Sequence, residues 1–410
     1  MSAPAMIPGG PRVLVVPSSY FARDRTVGGG ERYAFEYARA LARLTPTTLA
    51  LFDLEPRREV VDGLEVRTFR VGSLDERRGF PLGREARREI AEFDVLHPMI
   101  FPTPLVDQLV ALGRLRGQTV VLTDVGGGVP CWSTRLQRLH PRANLNRLAG
   151  GLALLSRHSA AQFTGWKHPR TILYGGAYVP DVPEQAAEPQ GYALFVGRLL
   201  PHKGVLQLIE ALGPDTPLRV LGRPYDPEYF GKLQGAAAGK DVTFLTDADD
   251  AELRRQYLGA SVVLQPSIPV HAGMNDTAEL LGLVALEGMA HGKPVIVTRT
   301  ASLPELVRDG VTGFIVPPGD AKALRDKVEL LVRDPERSRA MGAAARKHVR
   351  SCFTWDEVAG RGMDFYRKLR GDAAPLTGTA ERSASAAASP CAPRPDSTAA
   401  REGVAAAAAG

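Results

Sequence analysis

Short apolar runs of strand length alternate along the chain with segments whose apolar residues recur every three or four positions. Residues 12–19 (RVLVVPSS) form a β-branched run. A glycine turn follows, and then EYARALARL, which has helical spacing. Further strand-like runs are TTLALFDL from Thr47, LEVRTFRV from Leu64, DVLHPMI from Asp94, TVVLTDV from Thr119, GLALLS from Gly151 and TILYG from Thr171. Helical spacing lies between several of them, as in LVDQLVALGRL. This alternation predicts a parallel sheet covered by helices on both faces. At Ala177 the pattern lapses into AYVPDVPEQAAEPQG, proline-rich and without apolar periodicity, which predicts a linker. It then restarts with ALFVGRL, VLQLIEAL, LRVLG, VTFLT, AELRRQYLGA, VVLQPS, LVALEGMA, PVIVT and GFIVPP.

The expected architecture is therefore α/β: two Rossmann-like doubly wound domains facing each other across a cleft. The N-terminal domain spans 1–176, the linker 177–190 and the C-terminal domain 191–353. A terminal helix at 354–371 is expected to pack back on the N-terminal domain. Such sheets bind ligands at the carboxyl ends of their strands. After Gly371 alanine, serine and proline dominate, so 372–410 is expected to be a disordered tail without a site.

A chain of 410 residues, 44% of them hydrophobic, is long enough for two cores of this kind. Cys131, Cys352 and Cys391 share no CxxC or histidine-rich spacing, so neither a disulfide framework nor a zinc site is suggested, and a reducing cytoplasm fits. No apolar run approaches the roughly 18 residues that span a bilayer, and no signal-peptide pattern opens the chain. The expected location is cytoplasmic, free or peripheral at the inner face of the membrane. The net charge of +6 is unevenly spread. Arg135, Arg138, Arg142, Arg147, Arg157, Lys167 and Arg170 fall between Val125 and Pro180 with no acidic residue among them. Arg77, Arg78, Arg84, Arg87 and Arg88 flank only Glu85. This basic half reads either as a surface for phosphates or an anionic membrane, or as a solvated arginine-rich face.

Three places carry candidate chemistry. Gly28, Gly29 and Gly30 precede the helix opened by Glu31, where glycine amides can approach an anion. The spacing is neither GxGxxG nor a Walker loop, and a plain tight turn is the alternative. Arg198 and Lys203 sit in GRLLPHKG directly after the strand ALFV, and two cations on a strand-to-helix turn can converge on a diphosphate. Glu279 and Glu287 lie in AELLGLVALEGMAHGKPVIV. If that segment is wholly helical, eight positions separate the carboxylates by roughly 12 Å. A retaining glycosidase needs about 5 Å, so the pair suits hydroxyls of one extended ligand instead. Amides at Gly282, Leu283 and Val284, if they open the helix, would point at an anion beside Glu279.

The order GGGE, FVGRLLPHKG, QPS, ELLGLVALEGMAHGKPVIV and LPELVRDGVTGFIVPPGD resembles glycosyltransferase family four, of the retaining GT-B class, from about Arg12 to Tyr366. The resemblance implies a metal-independent hexosyltransferase that needs no cofactor beyond a UDP- or GDP-sugar as co-substrate. It places the donor diphosphate on Arg198 and Lys203, the donor sugar's hydroxyls by Glu279 and the ribose on Glu287. Amides at Gly282, Leu283 and Val284 would cap the phosphates, and Gly29 and Gly30 would close over them. It also implies a front-face reaction without an enzyme nucleophile.

This chain departs from the family pattern at one place. Many relatives carry a histidine after the strand matching VVLTDV, whereas here Asp124 stands before Val125 and Gly126 to Gly128. Asp124, and His97 at what should be the cleft edge, are the candidates for contacting sugar or acceptor. Asp247-Ala248-Asp249 mimics a metal-binding DxD but precedes a helical pattern and reads better as an N-cap, so no metal site is expected. Sugar choice is expected in HAGMNDT, residues 271–277. The acceptor classes left open are a polysaccharide, a lipid-linked or anionic glycan and a natural product; nucleic acid is not an expected partner. A noncatalytic nucleotide-sugar-binding subunit and a GT-B epimerase or phosphorylase are the alternative readings.

Overall fold

The computed structural model describes residues 9–18, 28–72, 82–101, 103–125, 145–161, 163, 166–181, 188–272, 275–277 and 279–372. Two parallel sheets organise them. The first grows in both directions from β1 (Val13–Val16), whose residues are all buried. On one side lie β2 (Thr47–Asp53), β3 (Arg57–Val61) and β4 (Leu64–Arg70). On the other lie β5 (Val95–Pro98), β6 (Thr119–Leu122), β7 (Gly151–Leu154) and β8 (Arg170–Ile172). The order is β3-β4-β2-β1-β5-β6-β7-β8. The pairings are parallel apart from β3 with β4. No apolar run signals β3, because RREVV is charged and exposed along its whole length. What forms it is the turn: Asp62 and Gly63 both take positive φ, +48° and +80°, the geometry that closes a tight hairpin onto β4.

The second sheet has β9 (Ala193–Val196) in the middle, with β10 (Leu218–Leu221) and β11 (Val242–Leu245) on one side. The other side holds β12 (Val262–Gln265), then β15 (Val295–Thr298) and β16 (Gly313–Val316), and all pairings are parallel. A small antiparallel pair, β13 (Val270–Ala272) with β14 (Asn275–Thr277), follows β12. The α-helices are α1 (Gly29–Leu41), α2 (Arg84–Ile90), α3 (Pro104–Arg116), α4 (Arg157–Ala161), α5 (Val205–Ala211), α6 (Pro227–Ala237), α7 (Asp250–Gly259), α8 (Leu283–Ala290), α9 (Leu303–Leu306), α10 (Ala321–Arg333), α11 (Pro335–Cys352) and α12 (Trp355–Arg370). Their boundaries follow from local chemistry. In α3, Thr103 accepts a hydrogen bond from the Val106 amide (3.2 Å), Pro104 opens the first turn, and Gly117 ends the helix at φ +69°.

Because both sheets are covered on two faces, their central strands, such as β1, β7, β12 and β15, are buried along their whole length. Leu14, Val16, Leu96, Leu122 and Leu154 pack with Leu105, Val106 and Leu109 of α3. In the second core Phe195, Val220, Leu264 and Ile296 meet Leu208 of α5 and Val328 of α10.

Helix α12 lies on α1. The Tyr37 and Tyr366 hydroxyls are 2.7 Å apart, and Gly362 makes the approach possible, since a Cβ there would fall 1.9 Å from the Tyr37 hydroxyl. This contact relocates His97. It is fully buried rather than at the cleft edge, with Nδ1 2.5 Å from the Tyr366 hydroxyl and Nε2 2.7 Å from the Thr123 hydroxyl. Burial pushes its pKa down to about 3. With both nitrogens engaged inside the core, His97 is a packing residue and leaves the set of sugar contacts.

Cys352, buried at the end of α11, is disulfide-bonded, a pairing that the cysteine spacing did not suggest. Cys131 and Cys391, the glycines at 126–128, Arg77, Arg78, Arg135, Arg138, Arg142 and the tail from 373 onward lie outside the described residues. Among the described residues no helix is long and apolar enough to cross a membrane.

Candidate active site

Each sheet reverses its order at one strand. β1 lies between β2 and β5, and β9 lies between β10 and β12. A crevice opens at the carboxyl end of such a strand, and both glycine-rich candidates begin there. After β9 a 3-10 turn, Pro201–Lys203, closes on Gly204 at φ +73°. A Cβ on Gly204 would sit 2.0 Å from the Pro266 carbonyl oxygen, so only glycine lets this turn press on the QPS segment. The turn sets the Lys203 ammonium on the Glu279 carboxylate, to which it donates a hydrogen bond.

Glu279 is not helical. Helix α8 begins at Leu283, and Gly282 before it is left-handed at φ +58°, with Leu306 so near that a Cβ would fall 2.3 Å from its Cδ1. The left-handed glycine stops the helix from extending backwards, so the roughly 12 Å separation expected for a continuous helix does not apply. Instead the Glu279 main chain is tied to α9: its carbonyl accepts from the Ser302 hydroxyl (2.7 Å) and amide (3.3 Å). Burial pushes the Glu279 carboxyl upward. The Lys203 charge, with hydrogen bonds from Lys203, Gln265 and the Gly282 amide, outweighs this and holds it below the usual carboxylate range. The Gly282 amide is therefore turned on Glu279 rather than presented to a phosphate. Gln265 also accepts from the Ala285 amide (3.2 Å). Leu283 and Val284 are then the first-turn amides with no acceptor among the described residues, at the positive end of the α8 dipole.

Glu287 is one turn further along α8. Tyr257 of α7 donates to its Oε2 (3.0 Å), and Arg32 of α1 reaches its Oε1 at 2.7 Å from the other sheet's side of the crevice. Burial raises its pKa, opposed by Arg32 and Tyr257 and reinforced by Glu36; the net direction is upward. At the start of α1, Glu31 accepts from the Gly28 amide (2.9 Å) and the Ser18 hydroxyl (3.0 Å), fixing the glycine turn. Gly29 faces Leu281, with 3.5 Å between its Cβ position and Leu281 Cδ1. The Cβ position of Gly30 lies 2.9 Å from Ser18 Oγ and 3.1 Å from Val125 Cγ2. The amino ends of α1 and α8 thus border one crevice, and two helix termini, Lys203 and Arg198 give it a positive field suited to a diphosphate.

Arg198 is exposed on the β9 turn, its guanidinium carbon 6.0 Å from the centroid of the Tyr225 ring. Half-buried His202, between these cations, has its pKa lowered by burial first and by Lys203 next. Asp124 is half-buried at the carboxyl end of β6, beside the Val125 that touches Gly30. Asp249 caps α7 by accepting from the Glu252 amide (2.7 Å), so the DxD look-alike is used in helix initiation. The segment 271–277 is carried by β13 and β14, and its side chains lie outside the described residues.

The structure thus joins Lys203, Glu279 and the α8 amides in one cluster, and Glu287 with Arg32 in a second. Sequence reading missed Arg32, Tyr257, Gln265 and Ser302. For Gln265 a signal existed, a polar residue ending the apolar run VVLQ. Arg32 had none, because its partner is a whole domain away in sequence.

Residues 181–348 match the family described as Glycosyl transferases group 1. The chain is similar to a GDP-mannose-dependent alpha-(1-6)-phosphatidylinositol monomannoside mannosyltransferase of Mycobacterium tuberculosis. Identity is 29% over 311 residues, 70% of this chain and 78% of that protein. It is 34% identical over 185 residues to the D-inositol 3-phosphate glycosyltransferase of Corynebacterium glutamicum, 42% of either chain. Among solved structures, Anabaena HepE in complex with UDP and glucose superposes with a TM-score of 0.65 at 18% identity, covering 87% of this chain and 100% of that one. At that identity the likeness shows the fold.

Proposed function

We propose that the chain, whose residues 181–348 match the group 1 glycosyltransferases and whose fold is GT-B, transfers a hexose from a nucleotide sugar with retention of configuration and without a metal ion. The observation that carries this reading is the cluster of Lys203, Glu279 and the open Leu283 and Val284 amides at the carboxyl end of the second sheet. Lys203, Arg198 and the two amides take the diphosphate, and Gly29 and Gly30 close over it from the first sheet. Glu279 faces the donor sugar's hydroxyls, and Glu287 takes the ribose. In the reaction the bond from C1 to the diphosphate oxygen breaks as the acceptor oxygen bonds to C1 on the same face. The acceptor's proton passes to the departing phosphate oxygen. The protein supplies placement and charge for the leaving group rather than a nucleophile. Fixed cations and helix amides provide the positive charge that a divalent cation would otherwise bring.

GDP-mannose is the donor to try first, because the M. tuberculosis relative is named as GDP-mannose-dependent; UDP-glucose is the second. An acceptor with a phosphorylated inositol or another anionic, lipid-linked head group is favoured by the two relatives' names and by the basic residues Arg147, Arg157, Lys167 and Arg170 in the first domain. Asp124 is the remaining candidate for touching sugar or acceptor. The rival reading as a noncatalytic subunit is disfavoured because Arg198, Lys203, Glu279 and Glu287 are all present.

Label from each donor, incubated with phosphatidylinositol vesicles or with inositol phosphate in EDTA, should appear in acceptor product and not appear with Lys203→Ala. Transfer abolished by EDTA and restored by magnesium would refute metal independence. Donor binding without transfer or hydrolysis would favour the noncatalytic reading. Sedimentation with anionic against neutral vesicles tests the membrane surface, and equal partition into both would exclude it.

A further inference from the structure

The ion pair between Arg32 and Glu287 joins two parts of the chain that sequence separates by the whole of the first sheet. Glu287 stands on α8, which packs on β12 and β15, with its side chain 13% exposed, whereas Arg32 stands one turn into α1 beside the glycine loop. An ionised carboxylate has two oxygens and about four lone-pair positions. Arg32 occupies Oε1 at 2.7 Å and the Tyr257 hydroxyl occupies Oε2 at 3.0 Å. One position on each oxygen is left, a pattern that fits two vicinal hydroxyls. Tyr257 is itself held, stacked on His291 with ring centroids 4.8 Å apart, and His291 Nδ1 lies 2.8 Å from the Glu287 carbonyl. The carboxylate is therefore anchored from three elements: its own helix, α7 and α1.

We propose that Arg32 is a positioning residue for nucleotide binding: reaching across from the first domain, it keeps Glu287 charged and aimed so that the carboxylate can accept both ribose hydroxyls. This rests on the reading of Glu287 as the ribose contact. It gives the first domain a share in nucleotide affinity through a side chain as well as through its glycine loop, so the nucleotide is gripped most firmly when α1 is against α8. The groups facing Glu287 are Arg32 and Glu36 from α1, Tyr257 from α7 and His291 just past the end of α8. Burial raises the Glu287 carboxyl, Arg32 is the largest influence opposing it, and Glu36 adds to the rise. Losing Arg32 moves the carboxyl further up, so protonation begins at a higher pH and the acceptor for the hydroxyls is lost sooner on acidification.

The test is calorimetric titration of the full chain with GDP and with 2′-deoxy-GDP, repeated with the uridine pair, from about pH 8 to about pH 5.5, for wild type, Arg32→Met and Arg32→Lys. Arg32→Met is expected to weaken GDP binding about tenfold at the alkaline end, the loss of one charge-assisted hydrogen bond. The loss should grow as pH falls. For the 2′-deoxy nucleotide the penalty should shrink to about threefold or less, because one of the two hydroxyls is gone. Arg32→Lys should recover most of the affinity, since the positive charge remains. In turnover assays the donor KM of Arg32→Met should rise while kcat stays within about twofold. Affinity and pH profile unchanged in Arg32→Met, or equal weakening of the ribo- and deoxynucleotides, overturns the inference while the ribose reading of Glu287 stands. No binding of either nucleotide to wild type overturns both.

Discussion

At the residue scale, the pair that organises the site is Lys203 with Glu279. Both side chains are largely withdrawn from water, 18% and 11% exposed, so each depends on the other for its charge to be tolerated. Lys203→Ala should lower kcat/KM by roughly 10²- to 10³-fold, as expected when one fixed donor to the leaving group is removed. It should also lower the melting temperature, because Glu279 is left buried without its cation. Glu279→Gln in the same background should restore much of the stability and none of the rate. A double-mutant cycle on both readouts checks this, and additive effects on stability would contradict the pairing. Lys203 and Arg198 were legible in the sequence as cations at fixed spacing behind an apolar strand. Arg32 and Tyr257 were not, since a partner brought in by tertiary packing leaves no local pattern.

At the element scale, the left-handed turn at Gly282 shapes the site most. It starts α8 at Leu283, leaves the Leu283 and Val284 amides open and keeps Glu279 outside the helix. Gly282→Ala places a side chain where φ is +58° and Leu306 leaves no room. The variant should lose about 1–3 kcal/mol of stability and bind nucleoside diphosphate more weakly; denaturant melts with and without GDP read both. The sequence left open whether the segment is one continuous helix or a helix opened at Gly282 to Val284, because its apolar spacing is helical on either side and periodicity does not report the sign of φ at one glycine. Edge strand β3 was missed for a related reason: its turn chemistry, not its apolar content, makes it a strand.

Helix α12 supplies a second element-scale prediction through His97. Its folded pKa, about 3, is below the ordinary histidine value of 6.5, so the unfolded chain binds more protons between those two values. The stability it confers is complete above about pH 6.5 and is lost as the pH falls toward 3. His348, at about 4, acts in the same direction. Melting temperature should therefore decline on acidification through this window. His97→Asn should flatten the profile by up to about 1.4 kcal/mol per pH unit. An unchanged slope would place the acid sensitivity elsewhere.

At the scale of the whole molecule, a second clamp joins the two sheets through α9, the short helix whose start also holds the Glu279 main chain. Glu305 of α9 accepts from the Arg157 and His158 amides, both at 2.8 Å, and from the Tyr174 hydroxyl at 2.9 Å, so a helix beside the second sheet caps one beside the first. Glu305→Ala strands those donors and should cost about 1–3 kcal/mol. Turnover per folded molecule and the donor KM should both be nearly unchanged, which separates this clamp from the Arg32 contact, whose loss raises the KM. The alternation of strands and helices made the two-sheet plan readable from the sequence. The contacts between the two halves were not, because Glu305, Arg32 and Tyr366 each meet partners more than a hundred positions away.

The central claim is that a nucleoside diphosphate sugar is held by Lys203 and its helix-end amides without a metal ion. The most direct measurement is the affinity of GDP-mannose and UDP-glucose for wild type and for Lys203→Ala, by calorimetry in EDTA. Binding of at least one donor to wild type, weakened by about a hundredfold or more in the variant, is the result this account predicts. Binding that requires a divalent cation, or that Lys203→Ala leaves intact, would contradict it.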